Sequence, residues 1–211
     1  MMTAKPATRI VCFGDSLVEG EGDVACQGGW VGRLAAVLKP NHGNFGGYRI
    51  FNLGIGGATA VDLRMRFGEA VICRPDILII GCFSNDFLIR PAAINPSGID
   101  EHRVASFDMQ RAWNELLGDA TKLCDKVLIV GSPRDYSENV SRQRSLPYGP
   151  NEHKAFIRSL CERYKAPQLL DYPSFVNESD VRTEFDHPNA KGYDLMFKDI
   201  YAKLQQLKWV D

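Results

Sequence analysis

Strand-like and helix-like segments alternate along this chain from one end to the other, and this alternation restricts its fold more than any other feature. The strand candidates are short, continuous apolar runs at residues 9–13, 48–53, 77–82, 127–131 and 168–172. Continuous apolar runs, as opposed to alternating ones, are typical of parallel strands that are buried on both faces. The pattern therefore predicts an α/β fold in which helices cover both faces of a parallel sheet.

Apolar residues recur at helical spacing between and after these runs. The helix candidates lie within residues 31–38, 63–71, 112–123, 156–164 and 193–204. Strands and helices in this order predict a three-layer α/β/α sandwich with right-handed crossovers. A chain of 211 residues fits one domain, for which about 100 to 200 residues is usual, so we expect residues 1–211 to form a single domain.

The charge balance argues against two classes of partner. The chain has 25 Lys+Arg and 26 Asp+Glu, for a formal charge of −1, whereas a non-specific binder of nucleic acid or anionic membranes carries a clustered basic excess. The longest stretch without a charged residue, 50–61, falls far short of the roughly 20 apolar residues of a membrane span. The segment between Arg9 and Asp15 is likewise too short for the apolar core of a signal peptide. These observations predict a cytoplasmic protein without a membrane span, although the mature form of a cleaved precursor would have the same features.

Neither the cysteines nor the histidines show the spacing of a metal site. The six cysteines are far apart and include no C-x-x-C pair, and several lie in apolar runs. They are therefore expected to be reduced and mostly buried thiols. The four histidines form no H-x-x-x-H pair, so we expect no zinc site.

Polar and glycine-rich segments follow several of the predicted strands. These segments are G-D-S-L at residues 14–17, G-I-G-G-A-T at 54–59, S-N-D at 84–86 and E-F-D-H-P-N at 184–189. In a parallel sheet everything just after a strand lies on the carboxyl edge, where open α/β folds bind ligands. Two long connections, 87–104 and 132–151, follow strands as well and are candidate lids or specificity walls.

Together these segments supply the parts of a serine hydrolase. A serine hydroxyl needs an imidazole to take its proton, and His187 is suited to that task because histidine titrates near neutral pH. Attack on an ester creates an oxyanion that needs fixed donors. The N–H groups of Ser16 and Gly57 and the side-chain amide of Asn85 are the candidate donors.

The sequence resembles the GDSL, or SGNH, family of serine hydrolases. F-G-D-S-L at residues 13–17 is similar to the first signature block, and N-L-G-I-G-G-A-T at 52–59 to the second. S-N-D at 84–86 is similar to the third block and H-P-N-A-K-G-Y at 187–193 to the last, in the family's order. The resemblance implies that Ser16 is the nucleophile and His187 the base, and that Ser16, Gly57 and Asn85 form the oxyanion hole.

The resemblance also implies a fold and an activity. The fold is flavodoxin-like, with five parallel strands in the order 2-1-3-4-5. The activity is hydrolysis of a small-molecule ester or thioester, as in esterases, lipases and other acylhydrolases, without a cofactor.

The chain departs from the family pattern at two positions. The family's last block is usually D-x-x-H, but Glu184 stands in the aspartate position. We expect Glu184 to orient His187, because glutamate does so in triads on other folds; Asp186 is the competing acid. The third block is usually G-x-N-D, and Phe83 replaces its glycine, which would narrow the pocket or change how the turn aims Asn85.

Two alternatives stay open beside the hydrolase. The departures leave open a catalytically weak or inactive binding module on the same fold. The other alternative is an acyltransferase that keeps the catalytic residues but uses an acceptor other than water. Ser16 as a helix N-cap is the structural alternative to a nucleophile. A dinucleotide turn at residues 54–57 is set aside because G-x-G-G lacks the Rossmann spacing.

Overall fold

The computed structural model describes residues 6–39, 46–81, 85–87, 89–90, 96, 101–131, 150–165, 167–171, 181 and 187–211. Its strands are β1 (Thr8–Gly14), β2 (Tyr48–Gly54), β3 (Ile77–Gly81), β4 (Ile89–Arg90), β5 (Glu101–His102), β6 (Val127–Val130) and β7 (Gln168–Leu170). Its helices are α1 (Ser16–Glu19), α2 (Gly29–Val37), α3 (Ala60–Cys73), α4 (Ser106–Leu123), α5 (Pro150–Tyr164) and α6 (Ala190–Gln206), with a 3-10 turn at Asn85–Phe87.

The main sheet has five parallel strands in the order β2-β1-β3-β6-β7. Numbered along the chain, these strands have the order 2-1-3-4-5, so the predicted fold class and strand order are confirmed. All five predicted strands form, with ends that differ from the prediction by a residue or two. Cys82 and Tyr172, at the ends of two of them, lie outside the described residues.

The two faces of the sheet bury separate cores because successive side chains of a strand point to opposite sides. In β1, Val11 and Phe13 belong to the core beneath α3, α4 and α5. Ile10 and Cys12 belong to the core beneath α2 and α6. This arrangement is the predicted three-layer sandwich.

A small second sheet lies within the long connection after β3. Strands β4 and β5 pair antiparallel, with Ile89 opposite His102 and Arg90 opposite Glu101. No sequence pattern indicates this pairing, because each strand has only two residues. Within the other long connection, residues 132–149 lie outside the described part of the chain.

Glycines at the strand ends allow the carboxyl edge to close around the segment that follows β1. A Cβ on Gly14 would lie 2.0 Å from the carbonyl oxygen of Gly81, and one on Gly54 would lie 2.1 Å from the backbone nitrogen of Glu19. No side chain fits at such distances. The ends of β1 and β3 therefore approach closely, and β2 ends directly against α1.

No helix in the described ranges is long and apolar enough to cross a membrane. Across the same ranges, no group of His, Cys, Asp and Glu side chains is arranged to hold a metal ion.

Candidate active site

The nucleophile candidate lies at the start of a short helix on the carboxyl edge. Asp15 is the N-cap of α1 and its side chain accepts a hydrogen bond from the backbone N–H of Leu17 at 3.0 Å. Ser16 is therefore the first helical residue and not the cap, so the N-cap interpretation of Ser16 is wrong. Its side chain faces the site, and the residue is 5% exposed.

The structure brings Ser16 and His187 into hydrogen-bond contact although they are at opposite ends of the chain. Ser16 Oγ lies 3.0 Å from His187 Nε2. This distance is within the range in which an imidazole takes a proton from a hydroxyl. His187 precedes α6, whose N-cap Asn189 accepts hydrogen bonds from the backbone N–H groups of Lys191 and Gly192.

Tyr193 forms hydrogen bonds with the segment that carries the nucleophile candidate. It is fully buried, and its hydroxyl donates to the carbonyl oxygen of Glu21 at 2.7 Å and lies 3.5 Å from that of Ser16. Burial raises the pKa of this hydroxyl, so it is a neutral donor near pH 7. In the sequence, Tyr193 ends the H-P-N-A-K-G-Y block and begins the apolar stripe of the last helix, and neither pattern indicates its contact with the nucleophile segment.

A buried ion pair fixes the loop between α1 and α2. Arg33 Nη1 lies 2.6 Å from Asp23 Oδ2, with the two side chains 9% and 2% exposed. Asp23 also accepts from the backbone N–H of Gly29, and Arg33 also donates to the carbonyl oxygen of Ala190. Burial opposes ionisation of Asp23, but the hydrogen bonds and charge of Arg33 keep its pKa below the ordinary value. The pair thereby links this loop to the start of α6, beside His187.

The glycine turn after β2 passes next to the nucleophile. A Cβ on Gly56 would lie 4.0 Å from Ser16 Cβ, and the N–H of Gly56 donates to Glu19 Oε2 at 2.6 Å. Gly57 follows with φ +75°, in the left-handed region that favours glycine. The predicted oxyanion glycine therefore lies beside Ser16, in a conformation that other residues rarely adopt.

Asn85 is buried and anchored to the same turn. Its Nδ2 donates to the carbonyl oxygen of Ala58 at 2.9 Å, and the residue is 6% exposed. An amide nitrogen has two hydrogens, and the second has no acceptor among the described residues. This side chain can therefore donate to an oxygen that enters the site.

Asp86 ties the S-N-D segment to α3. It is fully buried and accepts from the backbone N–H of Ala60 at 3.0 Å. Burial, helped by the negative charge of Asp62, raises the pKa of Asp86 to about 6. Asp86 thus has a hydrogen-bonding role that fixes the S-N-D segment against α3.

This raised pKa makes a testable contribution to stability. Because the pKa of Asp86 is about 6 when folded and about 3.9 in a model peptide, the folded protein holds this proton more tightly. Stability therefore falls as the pH rises between these values. We expect Asp86→Asn to gain stability relative to wild type by on the order of 2 kcal/mol from pH 4 to pH 7. Urea unfolding at several pH values measures this difference, and parallel curves for the two proteins would contradict it.

Arg103 is a further charge at the site that sequence reasoning missed. A Cβ on Gly57 would lie 3.7 Å from Arg103 Nη1, which places a guanidinium beside the predicted oxyanion glycine. Arg103 also lines an open groove of about 510 Å³. The groove is lined by Thr59, Val61, Asp62, Arg103, Val104, Ala105, Asp108 and Arg111.

Three residues named from the sequence lie outside the described part of the chain. These are Glu184 and Asp186, the two candidate acids, and Phe83, the departure in the third block. Their roles stay predictions. The structure does bring Ser16, Gly57, Asn85 and His187 to one edge of the sheet, from four separate segments of the chain.

Comparison with protein families identifies the class of enzyme to which this α/β chain belongs. The profile of the GDSL-like lipase/acylhydrolase family matches residues 12–195. The chain belongs to this family and is an ester hydrolase of the GDSL type. The resemblance found in the sequence is thereby confirmed.

Solved structures agree on the fold. A lipase/acylhydrolase from Enterococcus faecalis has a TM-score of 0.66 at 19% identity, covering 94% of this chain and 96% of its own. A catalytic mutant of an acetylxylan esterase from Geobacillus stearothermophilus has 0.70 at 16% identity, covering 100% and 99%. TesA has 0.66 at 21% identity, covering 95% and 99%. No match is found among curated proteins. At these identities the structural likeness establishes the fold alone.

Proposed function

We propose that this protein hydrolyses a carboxylic ester or thioester through an acyl-enzyme intermediate, with Ser16 as nucleophile and His187 as general base. The observation that supports the proposal most strongly is the 3.0 Å contact between Ser16 Oγ and His187 Nε2. The distance makes direct proton transfer feasible, and proton transfer is what a serine hydroxyl needs to become a nucleophile.

In the first half of the reaction, Ser16 Oγ attacks the carbonyl carbon while its proton passes to His187 Nε2. The carbonyl oxygen becomes an oxyanion, which accepts hydrogen bonds from the N–H groups of Ser16 and Gly57 and from Asn85 Nδ2. The tetrahedral intermediate then collapses. His187 returns the proton to the leaving oxygen or sulfur, and the acyl group stays on Ser16.

In the second half, water replaces the leaving group. His187 takes a proton from the water as the water oxygen attacks the acyl carbon. The bond between this carbon and Ser16 Oγ then breaks, the free acid leaves, and His187 returns the proton to Ser16 Oγ. Glu184 is proposed to orient His187 through its other ring nitrogen, with Asp186 as the alternative acid. We propose that residues 1–211 form one domain that performs this reaction without a cofactor.

A series of substrates tests the proposed reaction. Acetate, butyrate and octanoate esters of nitrophenol, and the matching acyl thioesters, are assayed with and without added alcohols, and the products are identified by mass spectrometry. We expect free acid as the product and a chain-length optimum. Absence of turnover and of serine acylation would favour a binding module instead, and acyl transfer to the added alcohol in preference to water would favour an acyltransferase.

A further inference from the structure

The Glu21 carboxylate lies close to His187, the candidate general base. Glu21 belongs to the segment that carries Ser16. Its Oε2 lies 3.6 Å from His187 Nε2, and its side chain is 56% exposed. The backbone of Glu21 is fixed on both sides, because its N–H donates to the carbonyl oxygen of Ser16 at 3.0 Å and its carbonyl accepts from Tyr193 at 2.7 Å. This carboxylate is therefore held near the site and still reaches solvent.

The nitrogen that Glu21 approaches also determines where a leaving group must be. In the proposed mechanism, Nε2 of His187 donates the proton to the leaving oxygen, which must then lie within about 2.7–3.2 Å of that nitrogen. A carboxylate oxygen at 3.6 Å from the same nitrogen therefore lies next to the leaving group. An oxyanion-hole donor, in contrast, contacts the carbonyl oxygen, at a different part of the substrate.

The Glu21 carboxylate remains available to a substrate, in contrast to that of Glu19. The neighbouring Glu19 already accepts from the N–H of Gly56 at 2.6 Å. For Glu21, the contact with His187 is the one salt-bridge-range contact within the described residues. An ionised carboxylate has room for several hydrogen bonds at its two oxygens.

We propose that Glu21 selects the leaving group: it favours alcohols that carry a hydrogen-bond donor, hydroxyl or ammonium, on the carbon next to the one bonded to the ester oxygen. Such a donor is separated from the ester oxygen by two carbons and reaches the Glu21 carboxylate while the ester oxygen faces His187. A hydrogen bond to an ionised acceptor is stronger than one between neutral groups. This inference rests on the proposed function.

Matched acetate esters test the selection. The hydroxyl pair is 2-hydroxyethyl acetate and 2-methoxyethyl acetate, of which only the first can donate. The ammonium pair is 2-(dimethylamino)ethyl acetate, protonated at neutral pH, and its uncharged analogue 3-methylbutyl acetate. The readout is the ratio of kcat/KM within each pair, because any change that acts on His187 alone affects both esters and cancels.

In the wild type we expect the donor-bearing ester of each pair to be preferred. Glu21→Met removes the acceptor, and we expect both ratios to fall about fivefold to tenfold. This is less than for a buried hydrogen bond to a charged group, because the Glu21 side chain is 56% exposed. Glu21→Gln keeps a neutral acceptor, so it should lower the ammonium ratio more than the hydroxyl ratio. Glu162→Gln, at an exposed glutamate of α5, is the matched control and should leave both ratios unchanged.

The outcomes separate this inference from the proposed function. If hydrolysis depends on Ser16 but both ratios are the same in wild type and Glu21→Met, the role of Glu21 is refuted and the proposed function stands. If none of the four esters, and no nitrophenyl ester, is cleaved in a Ser16-dependent way, both fail. If both ratios fall in Glu21→Met, the selection of donor-bearing alcohols is supported. If only the ammonium ratio falls, the selection of hydroxyl-bearing alcohols is refuted and Glu21 selects cationic leaving groups alone.

Discussion

Ser16→Ala is expected to reduce kcat for a nitrophenyl ester by about 10⁴-fold or more, as loss of the nucleophile does in other serine hydrolases. The substitution removes one oxygen from a side chain that lies 3.0 Å from His187 Nε2. Alanine is smaller than serine and is compatible with the helical backbone of α1. Steady-state kinetics measures the loss, and circular dichroism with thermal unfolding checks that the variant is folded.

Ser159 provides a matched control for this change. It is an exposed serine of α5 whose hydroxyl donates to the carbonyl oxygen of Phe156. Ser159→Ala should keep wild-type turnover. If Ser16→Ala retains wild-type turnover while it is folded, Ser16 is not the nucleophile and the proposed mechanism is wrong.

Asn85→Ala is expected to reduce kcat by about 10²- to 10³-fold with a smaller change in KM. The expected loss is that of one oxyanion-hole donor, which acts on the transition state more than on the bound substrate. Asn85 is suited to this role because Nδ2 is held by Ala58 and its second hydrogen is available. The measurement is kcat and KM for the ester that the substrate series identifies as best.

The structural cost of this change must be separated from its catalytic cost. Loss of the Asn85 amide also removes its hydrogen bond to the carbonyl oxygen of Ala58, which costs about 0.5–1.5 kcal/mol of stability. Urea unfolding measures that cost, and kinetics are compared at a temperature where both proteins are folded. A variant that is destabilised but turns over at the wild-type kcat would assign Asn85 a purely structural role.

The sheet could be predicted from the sequence because its signal is local. A continuous apolar run such as residues 77–80 predicts a buried strand, and these residues are fully buried in the structure. The ends of the strands depend on contacts instead. Strand β2 extends to Gly54 because that residue pairs with Gly14 of β1, and its backbone lies against Glu19. No sequence pattern near these residues indicates either contact.

The candidate site was predicted in part for the same reason. Ser16, Gly57, Asn85 and His187 lie just after strands or just before a helix, and topology brings such positions to one edge. Three other residues lie near the site because of how the loops run and where the side chains point. These are Glu21, Tyr193 and Arg103. No sequence pattern indicates that a glutamate shortly after the nucleophile, or a tyrosine in an apolar stripe, contacts the site.

The most direct test of the account is covalent labelling of the nucleophile. The folded protein is treated with a fluorophosphonate probe, digested and mapped by mass spectrometry. We expect one adduct on the peptide that contains Ser16, formed more slowly when excess substrate ester is present during labelling and absent from Ser16→Ala and from a His187→Ala variant. An unlabelled Ser16 in a protein that hydrolyses esters, or undiminished labelling at another serine in Ser16→Ala, would contradict it.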